Sequence, residues 1–272
     1  MTEIIIDATK CNKDGVCVAV CPQHIIKIDP KTWGPYLDQE KKDACIECGH
    51  CVSFCSMDAL TLNGINPEQC QKITKENTPT KEMVAQLLKS RRSIRKFQDK
   101  LIEHGTLTDL MEIVNYAPTG RNEQELSWRI VNGKDKVREL AGYVVDWMRK
   151  VIQIDKDYAG YYQGLINAWE KGHDNLLRGA PAVVVAVAPK NAQIGLEDGS
   201  TAISYLELAA PSFDLGTCWA GYFYFATNMS RDIKKYLNIS KEEKCVGAAM
   251  IGYPMFKSHR IPKRKQIEIQ WI

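Results

Sequence analysis

The 272-residue sequence has no apolar run long enough to cross a bilayer. Its longest, at residues 180–189 around Ala-Val-Val-Val-Ala-Val, falls well short of the roughly 20 residues a spanning helix needs and reads as a buried strand. The start lacks a basic region followed by an apolar stretch, so a cytoplasmic protein with reduced thiols and no membrane contact is expected. The glycine fingerprint of a dinucleotide-binding turn is also missing. Neither sign of charge dominates: 36 Lys and Arg stand against 33 Asp and Glu, a net +3. The basic residues are dispersed among acids without a recognition motif, which argues against nucleic-acid binding. Residues 1–75 hold 8 Lys and Arg against 10 Asp and Glu (−2), leaving +5 for the remainder, a split that fits a basic region binding an anionic cofactor. At 44% hydrophobic and 25% charged residues, the chain is long enough for a full core plus a small extra domain.

Cysteine is what the sequence has in excess. Seven of its ten cysteines fall in two runs. The run Cys45-Ile-Glu-Cys48-Gly-His-Cys51-Val-Ser-Phe-Cys55 has the C-x2-C-x2-C-x3-C spacing that aims three thiolates from a tight loop at one iron–sulfur cubane while the fourth reaches the other cluster of a pair. The frame recurs 34 residues earlier as Cys11-Asn-Lys-Asp14-Gly-Val-Cys17-Val-Ala-Val-Cys21, with Asp14 in the place of the second cysteine. Zinc is the alternative for such cysteines, but zinc sites use two separated pairs and not one packed run. One-electron transfer is therefore expected. Asp14 has three readings: an iron ligand, a non-ligating acid beside a three-iron cluster, or an unrelated loop residue. As a ligand, a hard carboxylate holds iron less firmly than a thiolate, so that corner is expected to be labile.

The repeat extends past the cysteines. Cys21-Pro-Gln-His-Ile-Ile-Lys-Ile-Asp matches Cys55-Ser-Met-Asp-Ala-Leu-Thr-Leu-Asn, each a cysteine, a short turn and a brief strand. Residues 1–75 contain little apolar core of their own, so metal binding is expected to supply much of the folding energy. This part resembles a bacterial two-cluster ferredoxin. The resemblance implies cluster one on Cys11, Asp14, Cys17 and Cys55, either [4Fe-4S] or [3Fe-4S], and cluster two, [4Fe-4S], on Cys21, Cys45, Cys48 and Cys51. His24 and His50 are expected to tune solvation or hydrogen bonding near them.

The polar stretch 66–80 reads as a linker. A helix opens at Thr80 with apolar positions Met83, Val84, Leu87 and Leu88, and a second domain is expected over 76–272. Helical patterns around 105–116, 136–153, 158–171 and 200–214 alternate with strand-like segments at 128–131, 182–187 and 247–252, giving an α+β or α/β class, of which α+β is the expectation.

Arg91, Arg92, Ser93 and Arg95 place three guanidiniums and a hydroxyl within five residues, a dense donor set for a phosphate. Alone it reads as a surface charge cluster. It is followed in order by Ala117-Pro-Thr-Gly-Arg-Asn122-Glu-Gln124, by Leu215-Gly-Thr-Cys-Trp-Ala-Gly221, and by Gly252-Tyr-Pro254 through Arg260-Ile-Pro-Lys-Arg264. Together these four segments resemble the FMN-dependent nitroreductases over roughly residues 80–272, so the whole chain is similar to a ferredoxin–nitroreductase fusion. The resemblance implies that Arg91, Arg92, Ser93 and Arg95 grip the FMN phosphate and ribityl, with Lys263 and Arg264 closing on the phosphate. It implies that Pro118, Thr119, Gly120, Asn122 and Gln124 contact the ring or ribityl. A loop formed by Cys218, Trp219, Ala220 and Gly221 is expected along the ring, with a backbone N–H towards N5. Glu125-Leu-Ser-Trp128 departs from the family's Pro-Trp pair, which puts the local pocket shape in question.

Cys70 and Cys245 read as buried core thiols, and only Cys218 has a case for reactivity. Tyr143, Trp147, Tyr158, Tyr161, Tyr162 and Trp169 read as core or dimer interface, with a substrate wall as the alternative. His173 and Asp174 read as a helix end, with a proton-donor pair as the alternative. The resemblance implies a homodimer, and the fused cluster domain favours reduced ferredoxin or flavodoxin over NAD(P)H as donor. The expected activity is an anaerobic, FMN-dependent oxidoreduction of a nitroaromatic, a quinone, or an activated C=C or C–halogen bond, with no catalytic acid identified. The rivals are an electron-transfer subunit docking to a larger redox complex, and a relative in which FMN is the substrate.

Overall fold

The computed structural model describes residues 2–155, 157 and 159–272. By backbone contacts the chain divides into two compact units. The first comprises Met1–Pro79 together with Thr119–Glu123, the second Thr80–Pro118 and Gln124–Ile272.

In the first unit the elements are short: β1 (Ile4–Ile6), α1 (Val16–Ala19), β2 (Ile26–Ile28), β3 (Pro35–Leu37), α2 (His50–Ser53) and β4 (Leu60–Leu62). Strand β1 pairs antiparallel with β4, and β2 with β3, so each two-stranded ladder takes one strand from each half of the repeat. The core is correspondingly small: Ile25, Ile26, Val52, Leu60 and Leu62, joined by the buried cysteines Cys17, Cys21 and Cys51. The repeat is backbone-deep. Lys13 and Glu47, Gly15 and Gly49, and His24 and Asp58 are pairs 34 residues apart, and all six have positive φ.

The second unit opens with α3 (Lys81–Ser90), whose N-cap Thr80 accepts a hydrogen bond from the Met83 N–H. None of its residues is buried, and Met83, Val84, Leu87 and Leu88 are exposed. Then come α4 (His104–Val114), β5 (Ser127–Asn132), α5 (Lys134–Ile154), α6 (Ala159–Glu170), β6 (Ala182–Pro189), α7 (Gly195–Ala209), β7 (Gly216–Trp219), α8 (Gly221–Met229), α9 (Arg231–Tyr236) and β8 (Glu243–Gly252). The four strands form a sheet of order β5-β6-β8-β7 with every neighbour antiparallel, consistent with an α+β class.

Strand β6 is buried from Ala182 to Ala188 because both faces of the sheet are covered. Val183, Val185 and Val187 join one core with Val137, Leu140, Val144 and Met148 of α5 and Phe223 of α8. Ala182, Val184 and Ala186 join the other with Leu107 and Leu110 of α4 and Ile203 and Leu206 of α7. Among the described residues, no helix is long and apolar enough to cross a membrane.

Candidate functional site

The cysteine loops present their side chains around two cavities of the first unit. Cys11, Asp14, Cys17 and Cys55 line one, with Ile6, Pro35 and Leu60. Cys21, Cys45, Cys48 and Cys51 line the other, with Ile4, Ile26, Leu62 and His50. Each cavity thus draws three positions from one run and the last cysteine from the other. The glycine after each second position makes the turn: Gly15 and Gly49 sit at φ 72° and 71°, a region that costs residues with a Cβ, and they open α1 and α2.

The donor chemistry suits a cationic cluster. Cys17 and Cys51 are buried, and burial pushes their thiols up, that of Cys51 to about 12, with neighbouring cysteines adding to the shift. The amide N–H groups of Val18 and Val52 oppose this by hydrogen bonding to the sulfurs. Further N–H groups aim at sulfur: Glu47 N–H donates to Cys45 Sγ at 3.4 Å and Ala59 N–H to Cys55 Sγ at 3.3 Å. Thiols so placed ionise against bound positive charge, and the N–H groups then stabilise the thiolates. Among the described residues, no three His, Cys, Asp or Glu side chains converge on a single-ion site. Asp14 Oδ1 accepts the Val16 N–H at 3.0 Å, so this carboxylate also holds the start of α1. His50 Nδ1 lies 3.3 Å from Cys48 O and its ring stacks on Phe54, while His24 is exposed.

In the second unit, hydrogen bonds draw three of the four sequence segments together. Ile94 N–H donates to Thr217 O at 2.8 Å, Met255 N–H to Lys96 O at 3.0 Å and Gln98 N–H to Tyr253 O at 2.8 Å, while β7 pairs with β8. The approach is close enough to require Gly216, where an added Cβ would overlap Ile94 and come within 2.9 Å of Pro254 Cγ. This packing shapes a cavity of about 400 Å³ lined by Arg95, Arg178, Asn175, Cys218, Trp219, Gly221, Tyr161, Tyr162, Tyr222, Leu176, Phe225 and Met250. Five of these twelve residues are aromatic and two carry guanidiniums, which suits an aromatic anionic ligand such as a flavin phosphate.

Other expected contacts lie elsewhere. Arg91 Nη1 pairs with Glu207 Oε1 at 3.2 Å, and Arg92 Nη1 donates to the carbonyls of Lys89 and Arg91 at 3.0 and 2.7 Å. Ser93 O accepts from Arg95 Nη1 at 3.4 Å. Lys263 and Arg264 lie exposed in the chain after β8. Thr119, Gly120 and Asn122 belong to the segment packed with the first unit, where Asn122 Nδ2 donates to Ile46 O and Glu47 O, both at 3.1 Å. Pro118 and Gln124 flank that segment in the second unit. The expected loop at 218–221 is instead a strand–helix junction, because Cys218 and Trp219 end β7 and Gly221 opens α8. The Ala220 N–H is used by Ala248 O at 2.8 Å.

Several single-residue expectations are sharpened. Cys245 is buried, and burial pushes its thiol up to about 12. Cys70 is exposed, which corrects the core reading: it follows the 3-10 turn Pro67–Gln69 in a polar stretch with no apolar face to cover it. Asp174 is a structural carboxylate. Its Oδ1 accepts the N–H groups of Leu176 and Leu177 and its Oδ2 that of Gly179, each at 2.9 Å, fixing the entry to β6. His173 follows the end of α6, its N–H donating to Ala168 O after Gly172 at φ 86°. Tyr143, Trp147, Tyr162 and Trp169 pack against the core, Tyr161 and Tyr162 line the cavity, and the Tyr161 and Tyr222 hydroxyls touch. Tyr158 lies outside the described residues. Sequence reading missed Asn175, Arg178, Tyr222 and Phe225 as cavity residues; the available signal was the Arg-Gly turn before β6 and the aromatic run after Gly221.

A family model described as the nitroreductase family matches residues 88–253, and one described as a 4Fe-4S dicluster domain matches residues 3–56. An iodotyrosine deiodinase of Thermotoga neapolitana is 24% identical over 192 residues, 68% of this chain and 96% of that protein. A solved nitroreductase with bound FMN from Bacteroides fragilis aligns with a TM-score of 0.56 at 23% identity, covering 69% of this chain and 98% of the other. One with bound FMN from Desulfitobacterium hafniense aligns with a TM-score of 0.56 at 19% identity, covering 69% and 97%. At these identities, what the two structures share with this chain is the fold. Since the nitroreductase model spans more than half of its length, and a 4Fe-4S dicluster domain precedes that match, the chain belongs to the nitroreductase family.

Proposed function

We propose that this chain is an iron–sulfur flavoenzyme that carries electrons through two clusters to FMN and on to an organic acceptor. The observation that carries the reading is the cavity in which Arg95, Cys218, Trp219 and Gly221 meet Tyr161, Tyr162 and Tyr222. When bound, FMN takes up electrons singly from iron–sulfur clusters and delivers them in pairs. Arg95 and Arg178 supply positive charge for an anionic ligand, while the tyrosines and Trp219 exclude water and offer faces on which a planar acceptor stacks. Cys11, Asp14, Cys17 and Cys55 would hold one cluster, and Cys21, Cys45, Cys48 and Cys51 the other, a reading supported by their grouping around two cavities.

Candidate acceptors are nitroaromatics, quinones, and activated C=C or C–halogen bonds; the similarity to an iodotyrosine deiodinase supports the last. The proton comes from solvent or a cavity group. Reduced ferredoxin or flavodoxin is the proposed donor, because a cluster module is superfluous where nicotinamide supplies hydride directly. The protein would work in the cytoplasm as a homodimer, and the exposed apolar positions of α3 support a surface to be covered.

The test is anaerobic purification with FMN and iron counted, followed by dithionite reduction and reoxidation by a panel of small acceptors. Stoichiometric FMN that survives turnover, with reoxidation by a small molecule, is expected. Reoxidation only by a partner protein overturns the enzyme reading in favour of an electron-transfer subunit, and consumption of FMN makes the flavin the substrate.

A further inference from the structure

Asn122 lies in Thr119–Glu123, the segment packed with the first 79 residues. Its φ of 58° is left-handed, a conformation asparagine tolerates better than most residues. From there its Nδ2 donates to Ile46 O and Glu47 O at 3.1 Å each. The Ile46 carbonyl and the Glu47 N–H are the two ends of one peptide group, and that N–H donates to Cys45 Sγ at 3.4 Å. Glu47 is held on its other side by Asn63, whose Nδ2 donates to Glu47 Oε1 at 2.5 Å and whose Oδ1 accepts the Glu3 N–H at 2.7 Å. The result is a series: Asn122 amide to Ile46 carbonyl, then Glu47 N–H to cysteine sulfur.

Hydrogen bonds in series polarise one another. A donor on the Ile46 carbonyl draws electron density through the peptide and makes the Glu47 N–H a stronger donor to sulfur. Hydrogen bonds to ligating sulfurs are a main determinant of cluster potential, and stronger ones favour the reduced cluster by offsetting its added negative charge. We infer that Asn122 is a positioning residue for cluster two, raising its reduction potential by polarising the 46–47 peptide against Cys45. The role is selective, because the carbonyls it binds belong to the second cysteine run alone. The inference rests on the proposed assignment of Cys21, Cys45, Cys48 and Cys51 to one 4Fe-4S cluster.

The test is an anaerobic redox titration of the full-length protein followed by EPR, with FMN read optically. Asn122→Gly removes the amide while keeping a residue suited to positive φ, and Asn122→Asp keeps the side-chain shape without an N–H to donate. Both are expected to move the midpoint of cluster two to a more negative value and to leave that of cluster one in place. The glycine variant, carrying no charge, separates loss of the donor from an added carboxylate. An unmoved cluster two in the glycine variant overturns the inference, as does a shift confined to FMN, which would assign Asn122 to the flavin. If the unsubstituted protein has no second reducible cluster, the cluster assignment itself falls and the inference with it.

Discussion

Asp14 and Cys48 occupy the same place in two loops 34 residues apart: each precedes a glycine at φ near +71°, and each glycine opens a four-residue helix. The backbone is shared, so the difference between the two corners is the atom presented. A carboxylate has two oxygens, and the bond from Val16 N–H to Oδ1 is compatible with an iron on the same group. Asp14→Cys is expected to change the EPR signal and iron retention of one cluster only. With a thiolate replacing the harder ligand, the variant should keep its iron longer under a chelator. Identical spectra and iron counts would remove Asp14 from the coordination sphere.

Iron removal should act locally. The first unit has few buried apolar residues, and three of its buried side chains are cysteines, so thiolate–iron bonds would supply what its core does not. Stripping iron under reducing conditions is expected to abolish hydrogen-exchange protection at Ile26–Ile28 and Leu60–Leu62 while Ala182–Pro189 stays protected. Retained protection in the two short strands would show that the unit folds without metal.

Arg95 faces the cavity, whereas Arg91 is paired with Glu207 and Arg92 with backbone carbonyls. Arg95→Ala is therefore expected to weaken FMN retention by about tenfold or more, the loss of one charge-assisted contact of roughly 1.5–3 kcal/mol. Fluorescence titration of the deflavinated protein measures it. An unchanged Kd would detach Arg95 from the flavin.

Asp174 accepts three backbone N–H groups, those of Leu176, Leu177 and Gly179. Asp174→Ala leaves them without that partner beside the buried Leu176 and Leu177 and is expected to cost about 2–4 kcal/mol of stability. Asp174→Asn, which keeps one acceptor oxygen, should recover part of it. Denaturant unfolding checks both values. A proton-donor role would give the opposite pattern, unchanged stability with slowed turnover.

The legible parts of the fold were those where covalent spacing or one strong periodicity decides the outcome. The cysteine runs fix their own loops, and the apolar positions of α5 recur as Val137, Leu140, Val144 and Met148 along one face. Strand β6 is legible because an uninterrupted Ala/Val run suits a strand buried on both sides. The segment after Cys218 was not. Tyr222, Phe223, Tyr224 and Phe225 favour strand by propensity, yet they form α8, whose buried Phe223 and Ala226 are set by packing against the sheet. Cys70 misleads in a similar way, since residue type suggests burial while the local chain offers nothing to be buried against. The partners of Asn122 lie 75 and 76 residues away, and no local pattern encodes a contact made by folding.

The exchange of strands between the halves of the first unit has a bearing on damage. Strand β1 lies on β4 and β2 on β3, while Cys21 and Cys55 each serve the cavity of the opposite run. Loss of the whole cluster proposed for the Asp14 cavity would therefore free Cys55, which leads into β4 and through it to β1. Injury to that cluster would thus reach strands from both halves of the unit.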